Sequence, residues 1–242
     1  MNTERHEIQV NGVTVEVVRK AIRNLHLGVY PPHGRVRVAT PLGLSDEAVR
    51  LAVAGKLGWI KRQQNQFGEQ QRQSPREMTS GESHYFLGRR YRLRILSHDG
   101  PPCVAVSNNS FMDLHIRADA SATEREDALH RWYRRQLRAL VPPLLEKWES
   151  VLGVRAADWR IKRMKTQWGA CTIQAARIWL NLELAKKPVE CLEYILAHEL
   201  IHLIERHHSE RFQALLERAM PLWRVHRDTL NRAPLAHEDW HY

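Results

Sequence analysis

Apolar and polar side chains follow a period of two through much of the first third of the chain and a period near 3.6 later. Residues 8–18 alternate imperfectly around Asn11-Gly12, a dipeptide suited to a two-residue hairpin turn. Residues 25–30 and 35–39 can pair across Pro31-Pro32-His33-Gly34, and Arg35-Val36-Arg37-Val38 has the order of a half-buried strand. At Ser45 the period changes. This serine can cap a helix over 46–67, with Asp46 and Glu47 in the first turn, where negative charge suits the helix dipole. Val49, Ala52, Val53, Leu57 and Ile60 form its apolar stripe. Residues 68–80 are polar and read as loop. Residues 85–96 read as one or two strands, and 104–116 as a strand on either side of Asn108-Asn109.

Residues 123–152 form a long helical pattern, with Leu129, Trp132, Tyr133, Leu137, Leu140, Leu144, Trp148 and Val151 recurring at three and four. Pro142-Pro143 inside it predicts a kink or two helices, and Gly153 ends it. Residues 159–164 and 177–184 read as strands, and Pro188 suits the first position of a following helix. From 189 to 204 that helix is apolar on nearly every side, which places it inside the domain. No internal repeat or low-complexity segment is visible. The expected class is α+β, with a β-rich region carrying one helix over 1–122 and a second domain over 123–242.

The chain has 242 residues, 43% of them hydrophobic and 26% charged, which excludes wholesale disorder. No run approaches the roughly 18 apolar residues of a membrane span. The first residues lack an apolar signal core, so a cytoplasmic chain is expected. Cys103, Cys171 and Cys191 cannot all pair internally and none lies in a CxxC, which argues against a disulfide scaffold or an all-cysteine zinc site. The net charge of +10 is spread along the chain, with clusters at 89–90, 134–135 and 160–165. Such a field attracts acidic partners, nucleic acid included, although no helix-turn-helix, zinc-finger or RNA-binding signature accompanies it.

The apolar helix is interrupted by His198, Glu199 and His202, and buried polar groups need partners. Residues four apart share a helical face, so the two imidazoles of this HExxH pattern can reach one cation, with Glu199 free to face a metal-bound water. That is the arrangement of zinc metalloproteases, in which the glutamate is the general base. The alternative is a pair of core histidines bonded to backbone. A catalytic zinc needs a third protein ligand, and His207 and His208 are the near candidates, with Glu205 and Glu217 weaker. In an unbroken helix His208 would be turned roughly 80° from His198 and lie about 9 Å beyond His202, so the helix must bend near 205–207. Ser209 can cap a new helix with Phe212, Leu215, Leu216 and Ala219 as its packing face, leaving His208 on a turn free to point back. Glu205 can alternatively orient a ligand imidazole.

Residues 198–212, HELIHLIERHHSERF, resemble the YgjP-like metallopeptidase family, once called DUF45 and related to SprT-like proteases. Residues 165–172, KTQWGACT, resemble that family's RWGSCS element, with Gln167 in place of the usual Arg and Ala170 in place of the usual Ser. Weaker likeness extends through 35–41, 88–93 and Trp132-Tyr133. The resemblance implies a zincin-like fold, a zinc ion on His198, His202 and His208, Glu199 as catalytic glutamate, and a peptide or protein substrate. His207 stands where the family often has Asn, which marks it as a non-ligand.

Several further readings follow from the residues themselves. Trp168-Gly169 and Cys171 read as a loop beside the cleft or as core packing at a turn. Strand 177–184 can serve as an edge that holds an extended peptide, with Trp179 or Asn181 lining the cleft. His226, His237, Tyr194 and Tyr242 are candidates for oxyanion stabilisation. The tail after Pro234 can cover the cleft or dock on the body. Rival functions are a basic nucleic-acid-binding protein with a structural metal site and a metal-dependent amidohydrolase acting on a non-peptide substrate.

Overall fold

The computed structural model describes residues 5–30, 34–69, 77–164 and 167–232. The expected turn residues Pro31-Pro32-His33, part of the polar loop after 68, Lys165-Thr166 and the tail residues His237, Trp240, His241 and Tyr242 lie outside the described residues. Among the described residues the fold is α+β, with three sheets and six α-helices. The chain divides into two compact units, Met1–Gln71 and Arg72–Tyr242.

The first unit holds β1 (Arg5–Val10), β2 (Val13–Lys20), β3 (His26–Tyr30), β4 (Arg35–Pro41), α1 (Asp46–Ala54) and α2 (Leu57–Glu69). Asn11 and Gly12 both have positive φ, as a tight primed turn requires, and they join β1 to β2 in antiparallel register. The sheet order is β1-β2-β4-β3, with β2 and β4 parallel at its centre. Alternate residues of the strands, Ile8, Val10, Val15, Val17, Val36 and Val38, are buried with Val49, Val53 and Ile60. Ser45 caps α1 by accepting from the Ala48 amide. The single helix expected over 46–67 is two, because the chain turns at Gly55 and Lys56, whose amides bond back to Leu51 and Val53.

The second unit begins with β5 (Ser83–Phe86), β6 (Arg89–Ser97), β7 (Cys103–Ser107) and β8 (Phe111–Ile116), in the order β5-β6-β8-β7. The central pair is again parallel and the outer pairs antiparallel. The two sheets therefore repeat one topology, although no repeat is visible in the sequence. This second sheet shares a core with α3 (Ala122–Leu152), inside the compact unit Arg72–Tyr242. Ser121 and Glu124 form a reciprocal capping box at the start of α3, and Gly153 ends it with φ of 67°. Pro142 and Pro143 lie inside one helix, so of the expected kink or pair of helices the second does not occur; Leu137, Val141, Leu145 and Trp148 hold that stretch in the core.

The last part contains β9 (Asp158–Lys162), β10 (Gly169–Thr172), β11 (Arg177–Asn181), a 3₁₀ segment at Leu182–Lys186, α4 (Val189–Ile201), α5 (Glu210–Ala219) and α6 (Trp223–Arg232). The third sheet has the order β10-β11-β9. The strand expected over 177–184 stops at Asn181, whose side chain accepts from the Glu183 amide and caps the 3₁₀ turn. α4 is the most buried helix, packed against α3, α5, α6 and strands β10 and β11.

Candidate metal centre

Near the end of α4 the polypeptide does what the third-ligand argument requires. His198 and Glu199 lie in the last turns, His202 caps the helix, and the chain leaves the axis over 203–208. Ser209 then caps α5 by accepting from the Phe212 amide at 3.2 Å. One ligand atom from each of His198, His202 and His208 lies within 4.8 Å of the others. His208 Nε2 is 3.0 Å from His198 Nε2. The Phe212 ring forms a floor, with its centroid 4.9, 4.8 and 4.8 Å from the three imidazoles, and it is itself buried.

The donor set fits a divalent cation. Burial, reinforced by His202 and His208, pushes the His198 imidazole down to about 3, and burial lowers His202 as well. Burial thus favours the neutral, lone-pair-bearing form of both rings. His198 Nδ1 is buried without a hydrogen-bond partner, and Nε2 is the atom that faces His208. His202 Nδ1 faces the Glu205 carbonyl at 3.2 Å, which fixes the ring and leaves Nε2 for a metal. Tetrahedral nitrogen ligands at ordinary zinc distances lie about 3.3 Å apart, close to the 3.0 Å between His198 and His208.

Glu199 is 5% exposed, and burial pushes its carboxyl up to about 8. β10 passes directly over it. A Cβ on Gly169 would come within 2.6 Å of Glu199 Oε1, 2.8 Å of Glu199 Cγ and 2.8 Å of Ile195 Cγ2. Gly169 is thus required for close approach of backbone to carboxylate. The histidines, Glu199 and residues 167–174 line one cleft of about 750 Å³, together with Ile195, Leu203, Ile204 and Arg206.

The edge strand differs from the one expected. β11 is central, paired to β10 on one side and β9 on the other, so it cannot receive a peptide. Trp179 lies outside the cleft lining, with Lys162 Nζ 4.4 Å from its ring centroid. Asn181 is a brace. Its Nδ2 donates to the Met164 and Gln167 carbonyls at 2.8 Å each, its Oδ1 accepts from the Met164 and Glu183 amides, and its own amide donates to the Trp168 carbonyl at 2.9 Å. These bonds hold the segment that leads into β10, whose outer edge borders the cleft.

The remaining candidates separate cleanly. His207 is exposed and outside the three-histidine group. Glu205 orients His202 through its backbone oxygen, while its carboxylate accepts from the His207 amide at 3.3 Å. Glu217 accepts from Trp223 Nε1 at 2.7 Å and pairs with Arg224, which ties α5 to α6. Cys171 lines the cleft, but burial and the Glu199 carboxylate push its thiol up to about 11, which keeps it protonated. Tyr194 packs against the His198 ring, and His226 lies on α6; neither lines the cleft. Leu203, Ile204 and Arg206 are cleft residues that sequence reasoning did not single out. Each sits inside a motif, but its contacts depend on where the turn after α4 points.

Among the described residues no helix is long and apolar enough to cross a membrane. A search of curated proteins gives no match. Among solved structures, the metallopeptidase zymogen of Pyrococcus abyssi abylysin is 27% identical over 37% of this chain and 90% of its own, with a TM-score of 0.35. The model of the YgjP-like metallopeptidase domain matches residues 23–233, nearly the whole chain. On the strength of that match, the chain belongs to the YgjP-like metallopeptidase family.

Proposed function

We propose that the chain is a zincin-like, zinc-dependent peptidase in which His198, His202 and His208 hold the metal and Glu199 is the general base. One observation carries the reading: three imidazole nitrogens, a buried carboxyl and an outer strand edge meet in a single cleft. When bound, zinc supplies an acidified water and polarises the substrate carbonyl. An extended peptide lies along the edge of β10 and pairs with its backbone, which orients the scissile bond over Glu199. The Glu199 carboxylate takes the proton of the attacking water and passes it to the leaving amine. Its low-dielectric setting gives it the high proton affinity that such a shuttle needs. Gly169 lets the backbone come close enough for this geometry, and Phe212 stops the ligand rings from collapsing inward.

An open cleft bordered by a strand edge favours an extended chain over a small non-peptide amide. The chemistry belongs to the 123–242 part of the chain, since all the groups described come from residues 164–212. The three cysteines of the whole chain, Cys103, Cys171 and Cys191, are free thiols, as a reducing compartment such as the cytoplasm keeps them. The test is Glu199→Gln in zinc-loaded protein. Zinc content is expected to stay at the wild-type level while peptide hydrolysis is lost; unchanged turnover removes Glu199 from the mechanism.

A further inference from the structure

Only two charged side chains line the cleft among the described residues, Glu199 and Arg206. Glu199 is committed to the reacting water on the reading above. The other lining side chains are apolar, such as Ile173, Ile195, Leu203 and Ile204, or neutral, such as Gln167 and Gln174. Arg206 is exposed and makes no ion pair with any described residue. Many arginines of this chain are neutralised locally: Arg94 by Asp113, Arg117 by Glu124, Arg177 by Asp158 and Arg224 by Glu217. The acid beside Arg206 in sequence, Glu205, spends its carboxylate on the His207 amide.

The turn that carries Arg206 is held in place, and the side chain lines the cleft. It leaves the short turn between His202 and His208, which is held by the contact of the His202 ring with the Glu205 carbonyl at one end and by the Ser209 cap at the other. A group bound there shares the cleft with Glu199 and the three histidines. A guanidinium presents a planar fork that matches a carboxylate in two parallel hydrogen bonds. The overall charge of +10 adds a field of the same sense.

We propose that Arg206 selects substrates carrying a carboxylate close to the scissile bond, either an Asp or Glu side chain or the free C-terminus of a short peptide. This inference rests on the peptidase reading and deepens it by naming the substrate class. Peptides with Asp, Gln or Lys walked through three positions on each side of the cleavage point, each with a free and an amidated C-terminus, separate the two sources. The zinc-loaded wild type is expected to cleave the best acidic series with about fivefold higher kcat/KM than its Gln counterpart, the scale of an accessible charge-assisted pair. Arg206→Lys should retain the preference, Arg206→Gln should erase it, and Arg206→Glu should invert it toward Lys. In a Glu199→Gln background, where no turnover intrudes, Arg206→Glu should weaken equilibrium binding of the acidic peptide by a comparable factor. Cleavage with the same charge ranking in wild type and Arg206→Glu overturns this inference and leaves peptide hydrolysis standing. No cleavage of any peptide by wild type overturns the peptidase reading and this inference with it.

Discussion

Replacing Gly169 with alanine adds a single methyl group at the tightest point of the cleft. The new carbon would sit 2.6 Å from Glu199 Oε1 and 2.8 Å from both Glu199 Cγ and Ile195 Cγ2. Ordinary carbon contacts lie at about 3.5–4.0 Å, so roughly 1 Å must be recovered by moving something. The φ of Gly169 lies outside the left-handed region, so backbone strain adds nothing and the whole effect is steric. Either β10 moves away from α4 or the Glu199 carboxylate turns aside, and each route displaces the base relative to a peptide on β10. Overpacking of this kind costs about 1–3 kcal/mol of stability. A displacement of about 1 Å between reacting groups costs about 100-fold in rate. Gly169→Ala is therefore expected to fold and keep zinc, to lose about 1–3 kcal/mol by denaturant titration, and to lose about two orders of magnitude in kcat/KM. The assay is hydrolysis of a fluorogenic peptide, with zinc content measured on the same sample. Wild-type kcat/KM in a variant of normal zinc content would show that β10 is not pressed against Glu199 during catalysis.

His208→Ala is expected to lower zinc occupancy far more than His207→Ala, because only the former ring belongs to the three-histidine group; metal analysis after dialysis gives the order, and the reverse order removes His208 as ligand. Asn181→Leu leaves the Met164 and Gln167 carbonyls and two amides without their partner, at about 1–3 kcal/mol for each group left buried, and should also raise KM through disorder of the approach to β10. Wild-type stability and KM in that variant would deny the brace. His130 is pushed down to about 4 by burial and by Arg163 and Lys186. Between its ordinary pKa near 6.5 and that value the unfolded chain binds a proton that the folded chain refuses, so stability falls as pH is lowered through this window. Comparing unfolding free energies of wild type and His130→Gln at pH 7 and pH 5 is expected to show a smaller drop in the variant, and an equal drop would place His130 in solvent.

The parts of the fold legible in the sequence are those decided locally. Asn11-Gly12 supplies two residues that tolerate positive φ, and the strands around it are half-buried, so the first hairpin can be read directly. Ser45, Ser209 and Gly153 act through one or two hydrogen bonds to nearby amides or carbonyls, which makes each visible at short range. The HExxH spacing brings His198 and His202 to one helical face, and the Ser209 cap explains how His208 returns. What was not legible depends on contacts distant in sequence. Pro142 and Pro143 predict a kink or two helices on local grounds, and a long buried face keeps α3 one helix. Residues 169–172 are too short and too poor in strand formers to stand out; they become a strand by pairing with β11. That pairing moves the cleft edge from β11 to β10 and turns Asn181 from an expected cleft residue into a support. The common order of the first two sheets is held by pairing pattern and turns, with little in the side chains to reveal it.

The central claim is that three imidazoles hold a zinc ion with one position left for water. X-ray absorption at the zinc edge of the zinc-loaded chain tests it directly. The account predicts four light ligands at about 2.0–2.1 Å, three of them imidazole nitrogens and the fourth an exchangeable oxygen. A sulfur ligand at about 2.3 Å would bring Cys171 into the site and contradict the account, as would a fourth imidazole in place of the water.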